Sequence, residues 1–232
     1  TRRSSDLDAG IFRDVTLVGV KKARIDSVYV TQKHEENKVT LHFAPSFLLP
    51  HQPEKELSLE CLNSTANEDF TYSVTVTDPN GESQTLSGNP TQMEILSPML
   101  WFPNGLGAQP LYTVKLELYA RTDLVDTWER RIGLRTLTMC VEKDEWGETF
   151  AHVVNGVKVF AMGADYIPEE HLLGKINSAK RRQLLMDAKL ANFNSIRVWG
   201  GGYYPDDEFY DLCDELGLIV WEDFMFACSV YE

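Results

Sequence analysis

Three short stretches carry side chains that core packing alone would not select: Asp165-Tyr166, Arg197-Val198-Trp199 and Glu222-Asp223. Each closes a short apolar run. Collected around one mouth, acid, aromatic, arginine, aromatic and acid have the composition of a carbohydrate subsite. Aromatic faces stack on the C–H surfaces of a sugar ring, and carboxylate and guanidinium groups bind its hydroxyls. The middle stretch says most. Strand side chains alternate, so Ser195, Arg197 and Trp199 share one face and Ile196 and Val198 the other. The apolar pair is expected under the helix that follows, which turns Arg197 and Trp199 towards whatever the strands enclose. A guanidinium placed there needs a partner. In the third stretch Leu218, Val220 and Glu222 share a face, while Ile219, Trp221 and Asp223 share the opposite one; Asp223 is assigned inward.

Plainer readings stand beside these. Trp199 could be core packing, Arg197 could pair with a structural carboxylate, and Asp223 could cap a helix. The acidic run Asp206–Glu208 reads as a helix N-terminus, Glu169-Glu170 as a solvated turn, His171 as a surface loop residue. Trp101-Phe102-Pro103-Asn104-Gly105 reads as an aromatic turn against the first half of the chain. His34, His42, His51 and His152 lack metal-ligand spacing, and the four cysteines form no C-x-x-C pair, so neither a metal nor a cofactor is expected. Cys213 reads as a small buried hydrophobe. Asn63-Ser64-Thr65 is a glycosylation sequon that matters only in a secreted chain.

The elements that must position these groups fall into two parts. Up to about residue 138, β-rich runs alternate with turns: Val15–Val20, Ile25–Thr31, Lys38–Phe43, Leu57–Leu62, Phe70–Thr77 and Tyr112–Tyr119. Asp78-Pro79-Asn80-Gly81 marks a strong turn. Residues 22–138 are expected to form an immunoglobulin-like β-sandwich. Residues 1–21, with Gly10–Val15 entering a strand, read as the end of an earlier domain. From about 139 the pattern changes. Glu148–Val154 and Val157–Met162 flank an Asn155-Gly156 hairpin turn. A helix is predicted from Ser178 to Asn192, capped by Asn177 or Ser178, with Leu184, Leu185, Ala188 and Ala191 as its apolar stripe. The Ser195 strand follows, then a helix over Pro205–Leu216 ended by Gly217, then a strand over Leu218–Asp223. Strand–helix–strand–helix–strand argues for parallel strands. The loop Trp-Gly-Gly-Gly-Tyr-Tyr lacks a G-x-G-x-x-G fingerprint, which favours the start of a (β/α)8 barrel over a dinucleotide fold.

A net charge of −13 argues against a nucleic-acid partner. No apolar run reaches the roughly 18 residues of a membrane span. The N-terminus is polar, without Met or a signal peptide. Acidity and unpaired cysteines lean towards the cytoplasm.

Arg197-Val198-Trp199-Gly200-Gly201-Gly202, the block Asp207–Gly217 and the block Val220–Cys228 together resemble the β-mannosidase branch of glycoside hydrolase family 2. Trp101–Gly105 and Gly163-Ala164-Asp165-Tyr166-Ile167-Pro168 are similar to further blocks of that family. The resemblance implies a jelly-roll tail (1–21), an immunoglobulin-like β-sandwich (22–138) and the first three β/α units of a (β/α)8 catalytic barrel (139–232). It implies retaining hydrolysis of terminal, non-reducing β-mannosyl residues of an oligosaccharide or glycoconjugate. By position it makes Trp199 the platform of the mannose subsite, Arg197 and Asp223 its positioning groups, and Asp165 and Tyr166 its hydroxyl contacts. Many relatives have Asn and Trp at those last two positions, and Gln at 222. The family's acid/base lies at the end of strand 4 and its nucleophile on strand 7. This chain stops at Glu232, before strand 4, so no catalytic residue is assigned and the chain alone is expected to be inactive. Rival readings are a non-catalytic carbohydrate-binding or interaction protein and a relative acting on β-galactosides or β-glucuronides.

Overall fold

The computed structural model describes residues 15–170 and 172–227. Alternation builds the first half. In Leu111–Ala120 (β7), Tyr112, Val114, Leu116, Leu118 and Ala120 point inward and are nearly fully buried. In Phe70–Thr77 (β4), Phe70, Tyr72, Val74 and Val76 do the same. These two strands pair antiparallel and are flanked by Ser83–Ser87 (β5) and Asp123–Gly133 (β8), giving the order β5-β4-β7-β8. A second four-stranded sheet is built on Lys38–Leu49 (β2). Arg24–Glu35 (β1) runs along one side of it; Gln52–Leu57 (β3) and Gln92–Leu96 (β6) pair with the other. The inward faces of both sheets share one core that includes Leu41, Phe43, Phe47, Val74 and Leu116. The predicted Asp78 turn joins β4 to β5, with the Asp78 carboxylate accepting from the Asn80 and Glu82 amides at 2.9 and 2.8 Å.

Two expected strands do not form. Leu57–Leu62 holds the end of β3 and the start of a helix, Leu59–Ala66 (α1). Ser58 caps it by accepting from the Cys61 amide, and Asn67 ends it in the left-handed region. Leu57, Leu59 and Cys61 alternate like a strand, but Leu59, Leu62 and Ala66 also fit a helix, and that set meets the core. The sequon lies in this helix. Its Asn63 side chain accepts from the Phe70 amide at 2.8 Å and donates to the Phe70 carbonyl, so the carboxamide serves the fold. Residues 15–20 form no strand; Val15 and Leu17 are exposed. Residues 10–14 of that reading, His171 and Cys228 lie outside the described residues.

The second half opens with an antiparallel sheet of Leu137–Cys140 (β9), Ala151–Val154 (β10) and Val157–Val159 (β11), in the order β11-β10-β9. Asn155 (φ 49°) and Gly156 (φ 80°) make the expected hairpin turn. A parallel sheet follows: Gly163–Tyr166 (β12), Ser195–Val198 (β13) and Ile219–Glu222 (β14). The crossovers are Ser178–Leu190 (α2) and Asp207–Leu216 (α3). Both helices pack on one face of this sheet, where Leu185, Ile196, Val198, Phe209, Leu212, Cys213, Leu216 and Leu218 form a core. Burial pushes the Cys213 thiol well above its ordinary pKa, as expected of a buried hydrophobe. The stripe of α2 differs from the predicted one. Leu184 and Ala191 are exposed, and the buried positions are Arg181 and Leu185.

The Trp101 turn packs between the two halves and does not rest on the sandwich alone. Its indole Nε1 donates to the Asp214 carbonyl of α3 at 2.8 Å, and the ring is buried with Val154, Val159 and Ile219. The Arg135 guanidinium lies over the ring, 4.3 Å from its centroid, and pairs with Asp214 at 2.8 Å. The Asn104 side chain donates to the carbonyls of Lys189 and Phe193, and its amide to that of Gly217. Gly217 needs to be glycine twice over: its φ is +80°, and a Cβ would lie 2.6 Å from the Asn104 nitrogen. Arg131 of β8 pairs with Glu215 at 2.6 Å, and Arg130 with Asp207.

Candidate functional site

Register brings the predicted groups together. In the parallel sheet Asp165, Arg197 and Trp221 stand side by side, so all three share the face turned away from the helices. Asp223, just past β14, donates its amide to the Val198 carbonyl and turns its carboxylate to the same face. Arg197 lies between the two acids. Its Nε and Nη2 donate to the two oxygens of Asp223 at 3.2 and 2.7 Å, and its Nη1 donates to Asp165 Oδ1 at 3.0 Å. The Asp223 and Asp165 carboxylates hold the guanidinium's pKa above its ordinary value. One cation against two carboxylates leaves the group with a net charge of about −1. Asp223 also accepts from the Gly200 amide at 3.2 Å, which fastens the glycine loop to the end of β14.

Trp199 is half-buried, with its amide donating to the Tyr166 carbonyl at 3.0 Å. Close approach explains the three glycines that follow. A Cβ on Gly200 would lie 2.5 Å from the Phe224 carbonyl oxygen, one on Gly201 2.0 Å from the Trp199 ring, and one on Gly202 3.1 Å from Pro168.

Tyr166 is not with the others. As the neighbour of Asp165 it points to the helix side, where its ring lies 4.6 Å from that of Phe209 and its hydroxyl donates to Glu169. Burial there pushes the phenol pKa far up. Glu169 is no solvated turn residue: its side chain is 1% exposed and ion-paired to Arg181 at 2.7 Å. Of the acidic run at the start of α3, Asp206 stands at the cap position but makes no side-chain cap hydrogen bond; it and Glu208 pair with Arg181. Glu222 lies on the helix side, accepting from the Tyr210 hydroxyl at 2.7 Å.

Trp221 is the aromatic that the sequence reading left out of the site. It is 43% exposed, beside Arg197 in register, with its ring 5.5 Å from Phe150 and edge-on to His152 at 6.3 Å. Phe224 and Phe226 extend the exposed aromatic surface. Among the described residues no group of His, Cys, Asp and Glu is placed to hold a metal ion. A cavity of about 530 Å³ on the sandwich, between residues 18–25 and 123–127, includes none of these side chains.

His152, under Trp221, is buried, and burial lowers its pKa below the ordinary 6.5. Among the described residues its Nδ1 has no hydrogen-bond partner, which suits a neutral ring. The unfolded chain binds a proton near pH 6.5 and the folded chain binds it only at lower pH. Stability is therefore full above about 6.5 and falls as the pH drops below it. The urea midpoint of the chain is expected to fall between neutral pH and mild acid by more than that of His152→Phe. Equal falls would remove His152 as a cause.

The model of the Glycosyl hydrolases family 2 matches residues 23–135, the sandwich. Beta-mannosidase B of Emericella nidulans is 32% identical over 231 residues, covering 97% of this chain and 26% of its own length. That of Aspergillus clavatus is 34% identical over 233 residues. The chain is thus similar to glycosyl hydrolase family 2 over its first half and to β-mannosidases over nearly its whole length. Among solved structures of similar proteins, the β-D-mannosidase of Dictyoglomus thermophilum superposes with a TM-score of 0.73 at 33% identity, over 91% of this chain and 25% of its own. A Parabacteroides merdae β-glucuronidase, at 22% identity and a TM-score of 0.64, shares the fold. The chain spans about a quarter of the length of the curated relatives that it matches over nearly its whole extent. Its Arg197–Asp223 group lies beyond the part that the family model matches.

Proposed function

We propose that this chain is part of a retaining β-mannosidase and supplies one wall of its sugar subsite. The observation that carries the reading is Arg197 held between Asp165 and Asp223, beside Trp199 and Trp221, at the C-terminal ends of parallel strands whose helices cover the opposite face. Active sites of (β/α)8 barrels lie at that end of the strands. Residues 139–232 are read as the first three β/α units of such a barrel, 22–138 as an immunoglobulin-like sandwich, and 1–21 as the end of a jelly-roll domain. Trp199 is the stacking platform. Asp165 and Asp223 accept from sugar hydroxyls while Arg197 fixes their orientation. Tyr166 supports the platform from behind. The substrate is a β-mannoside oligosaccharide or glycoconjugate, and no cofactor takes part.

Retaining hydrolysis needs two carboxyl groups about 5–5.5 Å apart across the scissile bond. Family resemblance puts those glutamates on strands 4 and 7, and no residue of this chain matches them. Arg197 cannot serve as the anchor of a uronate, because two carboxylates already occupy it. That argues against the β-glucuronide alternative. The 232-residue chain is expected to release no product from an aryl β-mannoside, while the whole enzyme prefers it to the galactoside and glucuronide. Enzyme-proportional turnover by the chain alone, or a whole enzyme preferring another glycoside, would sink the reading.

A further inference from the structure

Behind the mouth lies a charge cluster that sugar binding does not use. Arg181, in α2, is 2% exposed. Its Nε donates to Glu169 Oε1 at 2.7 Å, and its Nη1 to Asp206 Oδ1 at 2.5 Å and Glu208 Oε2 at 3.0 Å. Glu169 stands three residues past the end of β12, and Asp206 stands at the cap position of α3, at the end of the glycine loop. One guanidinium therefore fastens both loops that leave the C-terminal ends of β12 and β13. Its planar fork can hold carboxylates in fixed directions, which lysine cannot. Buried ion clusters add little stability over apolar packing of the same shape, so stability alone would not select this one.

From Arg181 a short path leads to the platform. Glu169 Oε1 also accepts from the Tyr166 hydroxyl. The Tyr166 carbonyl accepts from the Trp199 amide at 3.0 Å, and the Trp199 carbonyl from the Gly202 amide at 3.3 Å. The ring of Pro168, next to Glu169, closes on Gly202. Among the described residues the second oxygen of Glu169 is buried without a hydrogen-bond partner, while the first is held by Arg181 and Tyr166. We infer that Arg181 is a positioning residue for the mouth: through Glu169 and Tyr166 on one side, and Asp206 on the other, it sets where the Trp199 ring stands. Only the use of that ring rests on the β-mannosidase reading; its position can be read without a sugar.

The test is Arg181→Met in the 232-residue chain, followed by amide hydrogen exchange and by the indole N–H resonance of Trp199. The Trp199 and Gly202 amides are expected to exchange about tenfold faster or more, and the indole resonance to move. The Ile219 amide, bonded to the Asn194 carbonyl, and the Trp101 amide, bonded to that of Leu134, keep their protection. Unchanged exchange at Trp199 and Gly202, or equal acceleration at Ile219 and Trp101, overturns the inference. Arg181→Lys is expected to leave Ile219 protected, as the methionine variant does, without returning the Trp199 indole to its place; full return would deny the fork its role. Should the methionine variant not fold, Glu169→Gln serves. It should loosen Trp199 while the Phe209 amide, bonded to the Asp206 carbonyl, stays protected; an unmoved Trp199 overturns the inference. Separately, Trp199→Ala in the whole enzyme should raise KM. If it does not, the sugar-platform reading fails while the exchange result stands.

Discussion

Trp101→Ala is expected to destabilise the chain by about 3–5 kcal/mol, the range for emptying a buried tryptophan site. The ring is 1% exposed and fills the seam between the sandwich and the second half, against Val154, Val159 and Ile219. Its loss leaves the Asp214 carbonyl without the indole donor and the Arg135 guanidinium without the ring beneath it. Both halves keep their own cores, so the damage is directional. Urea unfolding should change from one transition to two, the α/β part melting first and the sandwich later. Far-ultraviolet dichroism reports both parts, and Trp128 in β8 reports the sandwich. A loss below about 1 kcal/mol, or a single transition merely shifted, would mean that the seam is held by the flanking ion pairs.

Asp223→Ala is the second large effect, and it falls on binding. This carboxylate holds two guanidinium nitrogens of Arg197 and the Gly200 amide. Without it Arg197 swings towards Asp165 and the glycine loop loses its tie to β14. Misplacement of binding groups by about an ångström can cost about a hundredfold in rate. The whole enzyme is expected to lose about that much in kcat/KM for an aryl β-mannoside, with most of its thermal stability kept. Gly201→Ala is the companion: its Cβ would displace the Trp199 ring and leave the Asp223 ties intact. A loss under about threefold for Asp223→Ala, less than one charged hydrogen bond, would remove it from the site.

Much of this was legible in the sequence because local signals agreed. Alternation in 112–119, the Asn155-Gly156 turn and the Phe209, Leu212, Cys213, Leu216 stripe ended by Gly217 each had one consistent reading. Arg197 facing away from the helices followed from alternation alone, and its need of a partner from the cost of leaving it unpaired; which carboxylates meet that need came from the structure. The misses have physical causes. Strands β3 and β5 are polar and almost wholly exposed, held by hydrogen bonds to their neighbours and not by a buried face. Leu57–Leu62 fits both periods, and the Ser58 cap and tertiary burial decided for helix. The rule that separates Glu222 from Asp223 also separates Asp165 from Tyr166; applied there, it would have put Tyr166 behind the sheet. Arg181 was hidden by its charge. It stands at i−4 from Leu185 on the buried stripe, and only the three-dimensional convergence of Glu169, Asp206 and Glu208 makes burial affordable. Trp221 beside Arg197 required strand register, which a single sequence does not contain.

The tie between the halves also bears on how such proteins can be recombined. Trp101, Asn104, Arg130, Arg131 and Arg135 all belong to the sandwich side, yet their partners lie on α2 and α3 or just beyond them. The two parts are thus not interchangeable modules. A sandwich grafted from a distant relative would have to bring its own tryptophan, asparagine and arginines in register with the recipient's helices. A junction drawn at the composition change near residue 139 would sever sequence but preserve no independence. The workable crossover points are those that keep 101–135 and 189–217 in the same parent.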